Sequence, residues 1–377
     1  MAGIYIHIPF CKQKCHYCNF YSTVSLKYRD VFFASLVREI NSRKNYLRNE
    51  KVNTIYFGGG TPSLLSPDEI SLITNTIINS YNVATNAEIT LEANPDDLTK
   101  EKISDFKNYT RVNRLSIGVQ SFFDDDLDYL NRIHSSYQVK NSIENVLEVG
   151  FNNITIDLIY GIPSLTEKKW KENLKIFFEY KIPHLSSYSL TVEPKTALDV
   201  LIKKKKFENI NETDNINHFK ILLEEADKHN FINYEISNFA LAGYYSKHNS
   251  IYWLGGNYLG LGPSAHSYNG KSRQWNVSSV KQYCEEEMPE NIIEEREELD
   301  KDQLYNEYIL TSLRTSWGCD IEHIKNKFGE KYSSYLITNI NNVLKEKRVI
   351  RKGNVITLTN KGKLFADGIA SSLFYGL

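Results

Sequence analysis

Six short β-rich runs, at residues 4–9, 54–57, 88–92, 114–118, 154–159 and 185–190, alternate with longer segments of helical spacing. Repeated alternation of this kind is the pattern of successive β-α units, which build a parallel sheet covered by helices. The intervening helices carry their own marks. Residues 28–40 place apolar side chains at helical intervals, and Ser66-Pro67-Asp68-Glu69 supplies an N-cap, a first-turn proline and acidic residues. Such connections are right-handed, so six in succession form either an open doubly wound sheet or part of a β/α barrel. The polar residues at the strand ends separate the two. A cysteine loop follows the first run, Gly58-Gly59-Gly60-Thr61-Pro62 the second, and Val119-Gln120-Ser121 the fourth; Glu92-Ala93-Asn94-Pro95 lies at the third and Asp157 at the fifth. A doubly wound sheet concentrates such residues at one crevice, whereas a barrel gathers every strand end on one face. The even distribution predicts an α/β fold built on a partial (β/α)6 TIM-like barrel.

Beyond residue 190 the pattern changes. Lys203 to Lys206 reads as a solvated face rather than a binding patch. Residues 244–270, rich in Gly, Tyr, Trp, Ser and Asn and without helical period, read as a large aromatic loop or an irregular extension of the barrel. The acidic stretch 285–300 reads as a linker. From residue 302 onward, helices at 302–315, 321–328 and 332–346 precede a hairpin at 349–358 with Gly353-Asn354 at its turn, then a last helix. That order predicts a small winged-helix-like domain. The expected division is 1–240 for the barrel, 241–300 for the extension and linker, and 301–377 for the C-terminal domain.

Charge excludes some roles. Lys plus Arg total 45 against 46 for Asp plus Glu, so no global basic field exists to hold nucleic acid by counterion release, and no nucleic-acid partner is expected. No apolar run approaches the roughly 18 residues of a membrane span, and the first residues lack a cationic region and a long apolar stretch, so a cytoplasmic protein is expected.

Five cysteines are too few and too uneven for a disulfide framework, but Cys11, Cys15 and Cys18 fall in one C-x3-C-x2-C loop. Thiolates are soft ligands suited to zinc or to iron-sulfur clusters. A structural zinc site needs a fourth ligand, and His16, the only nearby candidate, is awkwardly placed between two of the cysteines. Three thiolates on a cubane would instead leave one iron open to an exchangeable ligand. Unligated thiols, a zinc site and a 4Fe-4S cluster are the three readings of the residues themselves. Gly58 to Thr61 could bring main-chain groups close to a ligand. Glu92 and Asp157, acidic at strand ends, could accept from backbone N–H groups or from a ligand's amine and hydroxyls.

The spacing and position of the cysteine loop, with the glycine run after the second strand, resemble the radical S-adenosylmethionine (SAM) superfamily. That resemblance implies a 4Fe-4S cluster on Cys11, Cys15 and Cys18, with the methionine part of SAM on the open iron. The segments Tyr5 to Cys11, Phe57 to Leu64, Glu92 to Pro95, Leu115 to Phe122 and Asp157 to Pro163 are similar to the coproporphyrinogen-oxidase-like branch. The branch implies that Tyr5, Gly59, Gly60, Thr61, Glu92, Gln120, Arg132 and Asp157 line the SAM site. Unaided, Arg132 reads as an exposed cation.

Two kinds of protein share this branch. The oxygen-independent coproporphyrinogen III oxidase resembles the chain but has an N-terminal extension and a further cysteine two positions after the third, where Phe20 stands here. The heme chaperones of the HemW type resemble it in the short N-terminus, in the Cys-x-Phe ending and in an HNxxYW motif, present as His248-Asn249-Ser250-Ile251-Tyr252-Trp253. This second resemblance implies heme as cargo, with His248, Asn249, Tyr252 and Trp253 in its binding, and acceptors among respiratory-chain heme proteins, hence peripheral contact with membrane-bound partners. Imidazole is a common axial ligand of heme iron, which leaves His248, His7 and His266 as rival ligands. A homodimer, a SAM-dependent decarboxylase, and a zinc protein with a nucleic-acid-binding winged helix stay open as alternatives, and Cys284 and Cys319 have no assigned role.

Overall fold

The computed structural model describes residues 2–376. Six parallel strands match the six β-rich runs: β1 (Ala2–Ile8), β2 (Val52–Gly59), β3 (Val83–Ala93), β4 (Arg114–Gln120), β5 (Ile154–Tyr160) and β6 (His184–Ser189). They pair in sequence order, β1 to β6. The helices between them cover one face, and most strand residues are buried on both sides, as a parallel sheet requires. Ser66 caps its helix as a full capping box with Glu69.

The curl of the sheet follows from what its strand ends line. Neighbouring strands lie about 4.8 Å apart, so in a flat sheet the ends of β1 and β6 would stand about 24 Å from each other. Here the loop after β1 and the ends of β2 to β6 all line a single cavity of about 390 Å³. The sheet is a partial barrel.

The region read as an irregular extension and linker departs from that reading. Within the expected barrel segment, β7 (Ile232–Glu235) and β8 (Asn238–Ala240) add an antiparallel pair beside β6, and the extension and linker build β9 (Asn257–Leu261), β10 (His266–Tyr268), β11 (Ser272–Asn276) and β12 (Ile293–Glu298). The sheet order is β12-β11-β10-β9-β1-β2-β3-β4-β5-β6-β8-β7. Strand β9 runs parallel to β1 and extends the barrel on its first edge, and β12, inside the expected linker, pairs antiparallel with β11. Lys247–Trp253, inside the expected loop, is a helix. One continuous apolar core reaches from Ala2 to Ile292, so packing does not break at residue 240.

A separate core, including Tyr305, Ile309, Ile324, Leu336 and Ile356, fills the C-terminal domain. There the helices Lys301–Leu313, Ile321–Phe328 and Glu330–Lys345 pack with a small sheet of β13 (Cys319–Asp320), β14 (Val349–Lys352) and β15 (Val355–Leu358). Three helices and a hairpin give the winged-helix-like architecture that the sequence predicts.

Candidate active site and the neighbouring aromatic cavity

The cysteine loop is pinned from several sides. The Cys11 N–H donates to Thr23 O (3.0 Å) and the Thr23 N–H to Pro9 O (2.7 Å), closing the loop at its base. The Asn131 amide donates to Lys14 O (2.9 Å), and Lys12 pairs with Asp96 (2.7 Å) and Asp97. All three cysteines are free thiols of intermediate burial that line the strand-end cavity. His16 does not join them: its Nδ1 lies 3.0 Å from Tyr129 O and its ring packs edge-on to Phe207 at 5.3 Å. The zinc reading thereby loses the fourth ligand expected for it. No trio of His, Cys, Asp or Glu among the described residues converges as ligands of one ion would. A cubane asks for less convergence, because each iron takes its own thiolate.

Of the eight residues expected around SAM, seven line this cavity: Gly59, Gly60, Thr61, Glu92, Gln120, Arg132 and Asp157. The glycines answer first to packing. A Cβ on Gly60 would stand 2.6 Å from Phe10 O, and Gly59 has φ +107° with its Cβ position 2.6 Å from the His7 ring. Glu92 accepts from the Gly59 N–H (3.1 Å) and the Tyr56 hydroxyl (2.8 Å), and burial raises its pKa above the ordinary carboxylate range. Burial first, then the adjacent Glu92 carboxylate, pushes Asp157 up to about 7. Gln120 holds a left-handed backbone, φ +68°, uncommon for a residue with a side chain.

Arg132 is no exposed cation. One guanidinium nitrogen donates to Asn94 Oδ1 (2.7 Å) and Gly118 O (2.8 Å), and the other lies 3.3 Å from Cys15 Sγ. Its Nε is buried without a partner, an unspent donor at a wall otherwise rich in carboxylates. Three thiols, two carboxylates with raised pKa and this donor suit a cluster with a ligand carrying both an amine and a carboxylate. Asn94, which braces Arg132 and donates to Thr61 Oγ1 (3.4 Å), escaped the sequence reading, although it stands in the strand-end segment Glu92 to Pro95. Ser116 and Tyr188 also line the cavity and carry no local signal.

Tyr5 lies elsewhere. Its ring sits beneath Gly58, 6.0 Å from Tyr56, and lines a second cavity of about 380 Å³. Burial and the nearby Glu92 hold its phenol well above the usual pKa. Phe20, 70% exposed, borders both cavities.

The HNxxYW residues form the short helix Lys247–Trp253 against β1 and β2. His248 is buried with both ring nitrogens engaged, Nδ1 to Thr54 Oγ1 (2.7 Å) and Nε2 to the Tyr252 hydroxyl (2.8 Å). Burial lowers its pKa to about 3, so the ring is neutral. Gly3 makes room for this helix, since a Cβ there would meet Ile251 at 2.8 Å. Tyr252 lines the second cavity, Asn249 bonds through its backbone to Ser246 Oγ, and Trp253 faces Arg314 of the C-terminal domain at 5.4 Å.

Residues 5–177 match the radical SAM superfamily. Heme chaperone HemW of Bacillus subtilis (strain 168) is 35% identical, the alignment covering 98% of each chain. The chain belongs to the HemW family of radical SAM proteins. Heme chaperone HemW of Lactococcus lactis subsp. lactis (strain IL1403) is 34% identical over 95% of this chain and 93% of its own. The solved Escherichia coli coproporphyrinogen III oxidase, a radical SAM enzyme, superposes with a TM-score of 0.85 over 100% of this chain and 90% of its own, at 22% identity. That likeness extends the shared fold through the C-terminal domain. Radical SAM membership implies a 4Fe-4S cluster and SAM, and the strand-end cavity is where the fitting side chains meet.

Proposed function

We propose that this chain binds heme and delivers it to an acceptor protein, carrying a 4Fe-4S cluster on Cys11, Cys15 and Cys18 with SAM beside it. The observation that carries the reading is the near-full-length relationship to proteins named heme chaperones, joined to Phe20 where the oxidase pattern has a cysteine. When bound, a reduced cluster supplies an electron to the SAM sulfonium. The protein's share is to position: Glu92 and Asp157 accept from the ligand's amine and hydroxyls, Arg132 offers Nε to a carboxylate, and Gln120 closes the β4 end. Acceptors are heme proteins of the respiratory chain, met by peripheral contact at a membrane.

The test is titration of the anaerobically reconstituted chain with hemin, followed by mixing with an apo-form heme protein. The expected result is a stable complex whose heme signal moves to the acceptor. Failure of the chain to retain heme overturns the reading. Production of protoporphyrinogen IX from coproporphyrinogen III, with reductant and SAM, would replace it with a decarboxylase.

A further inference from the structure

The second cavity is walled mainly by residues that the strand-end cavity does not include. Its volume of about 380 Å³ falls within the ordinary size of small-molecule sites. Its walls include Tyr5, Tyr252 and Tyr258, with the last two edge to face at 4.6 Å, and Phe20 stands on the border with the cluster cavity. Broad aromatic faces with hydroxyls at their edges suit a flat apolar ring that bears polar substituents.

Ligation of heme iron needs an imidazole nitrogen that is free. His248 has both nitrogens bonded and lines neither cavity. His7 reaches the second cavity, but its nitrogens are taken by the Tyr5 hydroxyl (3.2 Å) and by Tyr21 O (2.8 Å). His266 reaches the same cavity, is exposed, and has no hydrogen bond to its ring among the described residues. Its ring stacks on Trp275 at 5.6 Å, directly across the β10–β11 pairing, which holds its plane in place. Two residues before it, Ser264 takes φ +63°, and Gly262 takes φ +94° with no room for a Cβ beside His7 O, so a tight turn delivers His266 to the cavity mouth.

We propose that heme occupies this tyrosine-lined cavity with His266 as an axial ligand, and that His248 acts as a positioning residue by holding Tyr252 in the cavity wall. The assignment rests on the heme-carrier reading above and names its site. Phe20 then separates the heme edge from the cluster cavity with an apolar ring where a cysteine would otherwise bring a thiol.

Hemin titration of the full reconstituted chain, followed by absorption and electron paramagnetic resonance, tests the assignment in the parent, His266→Ala and His248→Ala. His266→Ala is expected to weaken heme binding by about tenfold or more and to change the spin state of the iron, with added imidazole restoring the parent spectrum. His248→Ala is expected to lower affinity while keeping the parent's axial-ligand signature. Equal melting temperature and iron and sulfide content in His266→Ala show that the fold survives. A His266→Ala spectrum and affinity identical to the parent overturn the assignment while leaving the heme-carrier reading intact. A ligand signature lost in His248→Ala and kept in His266→Ala also overturns it. A parent that holds no heme defeats the carrier reading itself, and the assignment with it.

Discussion

At Asp157 the environment sets a charge state that residue type alone does not. Its pKa near 7, against about 3.9 for the unfolded chain, means that the folded protein retains a proton there which the unfolded chain releases. Stability from this group is therefore full below the ordinary Asp range and declines as pH rises toward 7. Asp157→Asn removes the decline, and the variant is expected to be more stable than the parent by roughly 1 to 3 kcal/mol above pH 7 and nearly equal to it at acid pH. Urea unfolding of the cluster-free chain across pH measures this; a constant difference at every pH would contradict the assignment. The cysteines make a simpler case. Cys15→Ala removes the thiol nearest Arg132 and is expected to abolish stoichiometric iron and sulfide after anaerobic reconstitution, whereas Cys284→Ala and Cys319→Ala, outside the cavity, leave both unchanged. Most of this site was legible in the sequence because its residues stand at strand ends, a position that topology alone brings together. Arg132 and Asn94 were harder to read: the first looks like a surface cation until tertiary packing turns it onto Cys15, and the second is a short polar side chain whose role exists only through that turn.

At the scale of elements, the long periodic segments could be read and the short ones could not. The six barrel strands and their helices carry enough repeats to show their period. The helix Lys247–Trp253 spans seven residues and β10 only three, too few for either period to emerge, and both are held by distant partners rather than by local preference. One such partner is Glu39, buried on the helix Arg29–Ser42. Its carboxylate accepts from Arg43 (3.0 Å), Asn276 (2.7 Å), the Gly262 N–H (2.8 Å) and the Tyr283 hydroxyl (2.7 Å). Arg43 in turn donates to Gly260 O and Ser267 Oγ. This buried carboxylate ties the first barrel helix to the β9–β11 extension and to the turn that presents His266. Glu39→Ala leaves a buried guanidinium without its counter-charge and is expected to cost about 3 to 5 kcal/mol, read as a lower urea midpoint. A loss below about 1 kcal/mol would mean that the extension holds its place without the network.

For the whole molecule, two cores mean two bodies that must be held in register. The C-terminal domain docks through residues 314–317 on the turn between β7 and β8. Backbone bonds run from the Ile236 N–H to Arg314 O (3.1 Å) and from the Ser316 N–H to Tyr234 O (2.9 Å), and Trp317 meets Tyr234 and Tyr245. Arg314 gathers the charge at this junction. Its Nε donates to the buried Glu235 (3.3 Å), Nη1 reaches Asp367 of its own domain (2.6 Å), and its guanidinium lies over the Trp253 ring. The last residue of HNxxYW thus touches the C-terminal domain while Tyr252, one position earlier, lines the aromatic cavity, so domain docking and cavity shape share one short helix. Arg314→Ala removes the cation from both sides of the joint but leaves Glu235 its bonds from the Ser237 N–H and Asn238. The expected loss is about 2 kcal/mol of local stability, which speeds amide hydrogen exchange by roughly thirtyfold at residues 234–236 and 314–317. Exchange in β2 to β5, deep in the other core, is expected to stay at parental rates. Faster exchange throughout both cores would show instead that the two bodies unfold as one unit and that Arg314 supports the whole chain rather than the joint.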